Sequence, residues 1–231
     1  MTAPTALFIG GNGIISSACS ALAVERGFDL TLLNRGTDST RPPIEGARHL
    51  SGDADHLEEV ALGEYDVVVN FRSFLPTAVE KDVALFTGRT GQYVYISSAS
   101  AYQKPVARLP ITESTPLRND FWQYSRDKIA SEDVLVAAYR ASGFPATIVR
   151  PSHTYDRTLI PLDGGWTIVD RMRRGLPTIV HGDGTSLWTL THNTDFAVGL
   201  VGLLGHPAEA DRKSTRLNSS HLDTSRMPSS A

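Results

Sequence analysis

A doubly wound α/β fold, with a parallel sheet and helices on both faces, is predicted by two features of the sequence. Short apolar runs alternate with segments of helical period from residue 5 to residue 150, and parallel strands need such crossover helices. Glycines cluster directly after the first apolar run, at Gly10, Gly11 and Gly13, where a strand hands over to a helix.

The elements follow in order. Residues 5–10 (TALFIG) read as a buried strand. Residues 13–26 carry Ile15, Cys19 and Leu22 at helical spacing, and Gly27 closes that helix. Residues 29–34 (DLTLLN) form a second strand and residues 48–50 a short third. Residues 66–71 (DVVVNF) form a β-branched fourth strand, 79–87 a helix, and 92–97 (QYVYIS) a fifth strand. A long helix spans 120–142 and a sixth strand 146–150 (ATIVR). These elements make up one domain over 1–150, and 151–165 is where the chain leaves the sheet. Residues 151–210 are expected to hold an incomplete second region together with late elements of the sheet.

Composition narrows the function. Hydrophobic residues make up 41% of the chain and the net charge is −3, which favours neither nucleic acid nor an anionic membrane as partner. One cysteine, Cys19, excludes an internal disulfide. No apolar run reaches the ~18 residues of a membrane span, and no secretory leader is visible. A cytoplasmic protein acting on a small molecule is expected. No metal is expected either, because His181 and His192 lack ligand spacing.

The loop Gly10-Gly11-Asn12-Gly13-Ile14-Ile15-Ser16 lies between first strand and first helix. Such a unit brings backbone N–H groups and the positive helix end to a pyrophosphate. Gly10 permits the tight turn and Gly13 the close approach, while Ser16 stands where a third glycine is usual. The second strand ends in Asn34-Arg35. With no acid to hold a ribose 2′-OH, and a guanidinium to attract a 2′-phosphate, NADP is expected over NAD. The competing reading leaves Arg35 a solvated loop charge. Asp53, after the third strand, either faces the adenine or caps a helix over 54–62.

Tyr124 and Lys128 stand at i and i+4 of the long helix and share a face. An ammonium beside a phenol lowers its pKa from ~10 and makes it an acid or base near neutrality. The pair follows a fifth strand that ends in Ser97-Ser98-Ala99-Ser100-Ala101-Tyr102, so hydroxyls stand at the ligand-binding edge of the sheet. His153 and Tyr155 are candidate substrate contacts or packed loop residues. Arg171, Arg173 and Arg174 read as a solvated helix face or an anion site.

The glycine loop, the Ser-Ser run four residues before Tyr102, and Tyr124-xxx-Lys128 together resemble the extended short-chain dehydrogenase/reductase family, of the NAD-dependent epimerase/dehydratase type. Val149-Arg150-Pro151, Gly182-Asp183-Gly184, Trp188 through His192 and Asp195-Phe196-Ala197 extend the likeness across residues 5–209. The resemblance implies a Rossmann-like fold, with Gly10, Asn12, Gly13, Ile14, Ile15, Asn34, Arg35, Asp53, Phe71 and Lys128 around an NADP or NAD cofactor. It implies Tyr124 as proton donor or acceptor, Lys128 on the nicotinamide ribose, and Ser98 as hydroxyl partner, ahead of Ser97 and Ser100. It also implies a hydride transfer at a carbon bearing oxygen, as in epimerases, dehydratases and reductases of nucleotide sugars, and is compatible with a homodimer. Asn70-Phe71-Arg72-Ser73 departs from the family's usual segment beside the cofactor groove. A non-catalytic dinucleotide-responsive regulator or RNA-associated relative is the rival, disfavoured by the complete Ser98–Tyr124–Lys128 set.

From Asp211 the composition turns to Ser, Arg and Thr with no apolar period. Residues 211–221 and 225–231 resemble two blocks of a translated sequencing adapter around a variable gap, so 211–231 is read as a non-native, disordered tail. Without Arg212, Lys213, Arg216, Arg226, Asp211 and Asp223 the remainder carries 18 basic and 23 acidic residues, a net −5. Loss of later elements is expected to expose Ile168, Leu200, Val201 and Leu203.

Overall fold

The computed structural model describes residues 2–36, 41–162, 164–180, 183–185, 187–206 and 216–218. Six strands line up in parallel: β1 (Thr5–Ile9), β2 (Asp29–Asn34), β3 (Arg48–Ser51), β4 (Tyr65–Asn70), β5 (Thr90–Ile96) and β6 (Ala146–Arg150). Their spatial order is β3-β2-β1-β4-β5-β6. The order reverses between β1 and β4, and ligands bind at the carboxyl ends of strands beside such a reversal. The fold is the Rossmann-like sheet that the sequence predicts.

Side-chain alternation along the strands builds two cores. Phe8 of β1, Leu30 and Leu32 of β2, and Val67 and Val69 of β4 face one side. There they pack on Cys19 and Ala23 of α1 (Ile14–Glu25) and on Phe196, Leu200 and Val201 of α5 (Asn193–Leu203). Leu7, Ile9, Val68 and Tyr93 face the other side, against Val79 and Phe86 of α2 (Pro76–Phe86) and Leu135 of α3 (Gln123–Ser142). Pro76 opens α2 at a position where its missing N–H costs nothing. Gly143, at φ 70°, closes α3 in the left-handed conformation.

Three expectations are corrected. The stretch 54–62 holds only a short 3₁₀ turn, Leu57–Glu59, and Asp53 caps a tight turn instead, with its Oδ1 accepting the Asp55 N–H at 3.1 Å. The long helix starts at Gln123 rather than 120, because Asn119 Oδ1 takes the Phe121 N–H and Trp122 is extended. Leu200 and Val201 are buried, and Ile168 and Leu203 are half-buried. Packing of α5 on α1, joined by Asn193 Nδ2 to the Ile14 carbonyl at 3.1 Å, covers the first two. The exposed large apolar side chains include Ile179, Leu187, Phe121 and, on α5, Val198.

Beyond the sheet, β7 (His153–Tyr155) and β8 (Leu190–His192) pair in parallel, and α4 (Trp166–Arg173) buries no side chain. A three-residue β9 (Arg216–Asn218) lies parallel to β6; edge pairing of this kind uses backbone groups and accepts many sequences. The other residues of the predicted tail, and His181 and Gly182, fall outside the described residues. No described helix is long and apolar enough to cross a membrane.

Candidate active site

The glycine loop is laced by side chains that the sequence pattern did not foretell. Gly10 sits at φ +84°, and a Cβ there would lie 2.4 Å from Arg72 Cγ, so backbone conformation and close approach both require glycine. At Gly11 only space is short: a Cβ would lie 2.6 Å from Leu32 Cδ2. Ser16 is buried where a third glycine is usual. Its Oγ accepts the Gly13 N–H and donates to the Gly10 carbonyl, both at 2.7 Å. The hydroxyl thus closes the loop on itself at the start of α1, where Ile14 and Ile15 are half-buried.

The ends of β1, β2 and β3 are tied side by side, with Gly10 N–H on the Leu33 carbonyl and Gly52 N–H on the Asn34 carbonyl. Two buried polar atoms here lack a protein partner: the acceptor Asn12 Oδ1 and the donor Asn34 Nδ2. Unsatisfied buried groups are costly; a ribose hydroxyl satisfies either kind, and a phosphate oxygen satisfies the donor. The glycine cradle, too tight for a Cβ, and these two orphaned atoms fit a dinucleotide. Arg35 is exposed beside them. Phe71 is half-buried, its ring edge-on to Phe8 at 5.6 Å, and Arg72 leans back along Gly10 with its guanidinium 5.5 Å from the Phe74 ring.

At the carboxyl end of β5 the three serines part company. Ser97 is buried and donates to Glu132 Oε1 at 2.5 Å. Ser98 caps the short turn Ala99–Ala101, its Oγ accepting the Ser100 N–H at 3.1 Å, and it lowers the Tyr124 pKa. Ser100 links Ser98 and Ser125, each at 2.9 Å. Tyr124 lies between Trp122 (ring centroids 4.8 Å apart) and Phe74 (6.3 Å).

Lys128 is 1% exposed. Its Nζ donates to the carbonyls of Ser73 (2.9 Å) and Ile96 (2.8 Å) and lies 5.8 Å from the Tyr124 ring centre. Burial lowers the Lys128 pKa to about 7, although Glu132 raises it. The phenol behaves contrary to expectation: burial raises the Tyr124 pKa, and only Ser98 lowers it. Desolvation of the phenol is the larger of the two effects.

Two buried networks escaped the sequence reading. Glu132 and Arg150 form an ion pair, Nε to Oε1 at 2.7 Å and Nη2 to Oε2, and Arg150 Nη1 reaches the Tyr102 hydroxyl at 3.1 Å. Tyr124, Lys128 and Glu132 fall at i, i+4 and i+8 of α3, a stripe that could have flagged the glutamate. The second network centres on Asp82 of α2, whose Oδ2 takes Asn70 Nδ2, Ser73 Oγ and Tyr93 OH at 2.8, 2.7 and 2.6 Å. Burial raises Asp82 from 3.8 to about 6 despite these donors. The unfolded chain gives up that proton first, so this group's contribution to stability falls as pH rises from about 4 to about 6. Asp82→Asn removes that slope, and paired thermal scans should show the variant gaining on the parent over this window.

His153 and Tyr155 pack edge-on to Trp188 (5.5 Å) and His192 (5.2 Å) across β7 and β8. The His192 Nδ1 also pairs with the Thr194 hydroxyl. Arg171 hydrogen-bonds the Pro177 carbonyl and Arg174 pairs with Asp170, so two of the three arginines on that face are engaged locally.

A strand–glycine loop–helix unit, with a Tyr–Lys helix along the carboxyl edge of a doubly wound sheet, defines a dinucleotide-binding protein of the short-chain dehydrogenase/reductase type. The chain belongs to the NAD dependent epimerase/dehydratase family, which it matches over residues 6–217. It is 27% identical over 164 residues to a UDP-glucose 4-epimerase of Corynebacterium glutamicum, covering 62% of this chain and 49% of that protein. It is 26% identical over 216 residues to the chloroplast stem-loop binding protein of 41 kDa b of Arabidopsis thaliana, covering 87% of this chain and 55% of that protein. The chain thus spans about half the length of these curated relatives. Among solved structures, dTDP-glucose 4,6-dehydratase from Bacillus anthracis in complex with NAD superposes with a TM-score of 0.71 at 19% identity, over 89% of this chain and 73% of that one. The NDP-hexosamine 5,6-dehydratase TunA gives 0.71 at 25% identity, over 88% and 73%.

Proposed function

We propose that this chain carries the cofactor-binding and catalytic part of an NAD(P)-dependent oxidoreductase of the epimerase, dehydratase or reductase type, acting on a nucleotide sugar or similar polar substrate. The observation that supports this reading is that Lys128 Nζ reaches the Ile96 carbonyl at the end of β5 and lies 5.8 Å from the Tyr124 ring centre, with Ser98 two residues beyond Ile96. A bound nicotinamide supplies a hydride acceptor or donor. Tyr124 takes or returns the proton of the substrate hydroxyl at its phenol oxygen. Ser98 hydrogen-bonds the same substrate oxygen and, with Tyr124, fixes its position. Lys128, anchored by two carbonyls, reaches the nicotinamide ribose. Gly10, Asn12, Gly13, Ile14 and Ile15 receive the pyrophosphate, with Asn34, Asp53 and Phe71 at the adenosine end. Trp122 and Phe74 exclude water from one side of the phenol, and His153 and Tyr155 contribute to the substrate side.

Arg35 and the uncharged Asn34 support NADP over NAD, since a 2′-phosphate meets a guanidinium and no carboxylate. Nicotinamide fluorescence titration of the 231-residue chain is the test. NADPH is expected to bind about tenfold tighter than NADH, and Arg35→Ala to erase most of the difference. Equal affinities in the parent would remove Arg35 as a selector while leaving the enzyme class standing. A screen of nucleotide sugars for turnover then tests the substrate class.

A second reading draws on the stem-loop binding relative, whose match extends over 87% of this chain. Under it the dinucleotide site serves a regulator or RNA-associated protein. The net charge of −3 counts against this. A gel-shift assay with a stem-loop RNA at physiological salt separates the two, because sub-micromolar binding is required by the second reading alone.

A further inference from the structure

We infer that Asp82 is a positioning residue for Lys128, acting through the turn that follows β4. The inference rests on the reading of Lys128 as a cofactor and phenol contact. Asp82 lies on α2 and is 2% exposed. Its Oδ2 collects donors from the end of β4 (Asn70), from the turn (Ser73) and from β5 (Tyr93).

With its amide nitrogen held on Asp82, Asn70 presents Oδ1 to the turn, where it accepts the N–H groups of Arg72 (2.7 Å) and Ser73 (3.0 Å). The Ser73 hydroxyl bonds both Asp82 and Asn70. The residue is therefore held by its backbone N–H and its side chain at once. Its remaining polar group, the carbonyl, accepts Lys128 Nζ at 2.9 Å. A continuous series of hydrogen bonds runs from the Asp82 carboxylate through Asn70 and Ser73 to the ammonium.

An apolar side chain between Val79 and Phe86 would fill this part of the core without the desolvation cost of a carboxylate. Two of the three donors to Asp82 belong to the 70–73 segment, and the residue that ends the series holds Lys128. The carboxylate therefore aims a turn as well as filling a core position.

The test is a double-mutant cycle on the 231-residue chain, read as NADH affinity by fluorescence with a thermal melt of every variant. Lys128→Met is expected to weaken NADH about tenfold. Asp82→Ala is expected to weaken it several-fold, Asp82→Asn, which keeps an acceptor oxygen, to restore most of that loss, and Asp82→Ala/Lys128→Met to bind no worse than Lys128→Met alone. Multiplying losses in the double variant, or parent-like affinity in a folded Asp82→Ala, would overturn the inference while leaving the reading of Lys128 intact. Parent-like affinity in Lys128→Met would overturn both. If Asp82→Ala does not fold, Ser73→Ala takes its place in the cycle. It removes one donor and keeps the carbonyl, and the same non-multiplying loss is expected; affinity equal to the parent's overturns the inference.

Discussion

Tyr124→Phe is expected to lower turnover by roughly 10²- to 10⁴-fold, the usual contribution of a positioned general acid or base. The change deletes a single oxygen. The ring keeps its neighbours Trp122 and Phe74, and Lys128 keeps its bonds to the Ser73 and Ile96 carbonyls. Affinity for NADH or NADPH should therefore stay within about twofold, so the loss falls on kcat. Steady-state kinetics on a nucleotide sugar that the parent turns over, with a cofactor titration alongside, checks both halves. Turnover preserved in the phenylalanine variant would exclude the phenol as proton carrier. A parallel loss of cofactor affinity would mean that the hydroxyl supports the shape of the site.

Glu132→Ala is expected to destabilise the fold by about 3–5 kcal/mol, the cost of leaving an unpaired charge where its partner was. Arg150 is fully buried, and its remaining described side-chain partner would be the Tyr102 hydroxyl. For a chain of this size each 1 kcal/mol moves the melting temperature by roughly 2–4 °C, so calorimetry should show a fall of about 6–20 °C. Glu132→Leu combined with Arg150→Met should recover much of that stability, since a well-packed apolar pair avoids the desolvation cost altogether. A single variant that melts like the parent would mean that Arg150 finds water or another partner. The same glutamate raises the Lys128 pKa, so its loss should also leave that lysine less often charged at neutral pH.

What was legible in the sequence is what local pattern encodes. β1, β2, β4, β5 and β6 are runs of apolar and β-branched residues with two-sided burial, and each appears where the run predicts it. The glycine loop announced itself by its place after β1, and Tyr124 and Lys128 by one turn of helix. Where local signals competed, the sequence misled. Asp53 before an apolar stretch looked like a helix cap, but the chain from 54 to 62 makes only one short turn. Leu200 and Val201 looked like a face stripped of its cover, but α1 supplies that cover from almost two hundred residues away.

The sequence by itself determined the order of strands and helices, the nucleotide loop and the Tyr–Lys helix, because each depends on residues within a turn or a few strand positions of one another. Tertiary structure alone decided what Ser97 is paired with, why Ser16 can replace a glycine, and how Lys128 is held. Ser97 is paired with a residue 35 positions on, and Lys128 with one 55 positions back. Such partners share no local period, and they meet only because parallel strands bring their carboxyl ends to one edge. The tertiary structure also reversed the expected direction of the Tyr124 pKa. Spacing shows that a lysine is near, whereas burial, which acts on phenol and ammonium alike, exists only once the chain has folded around them.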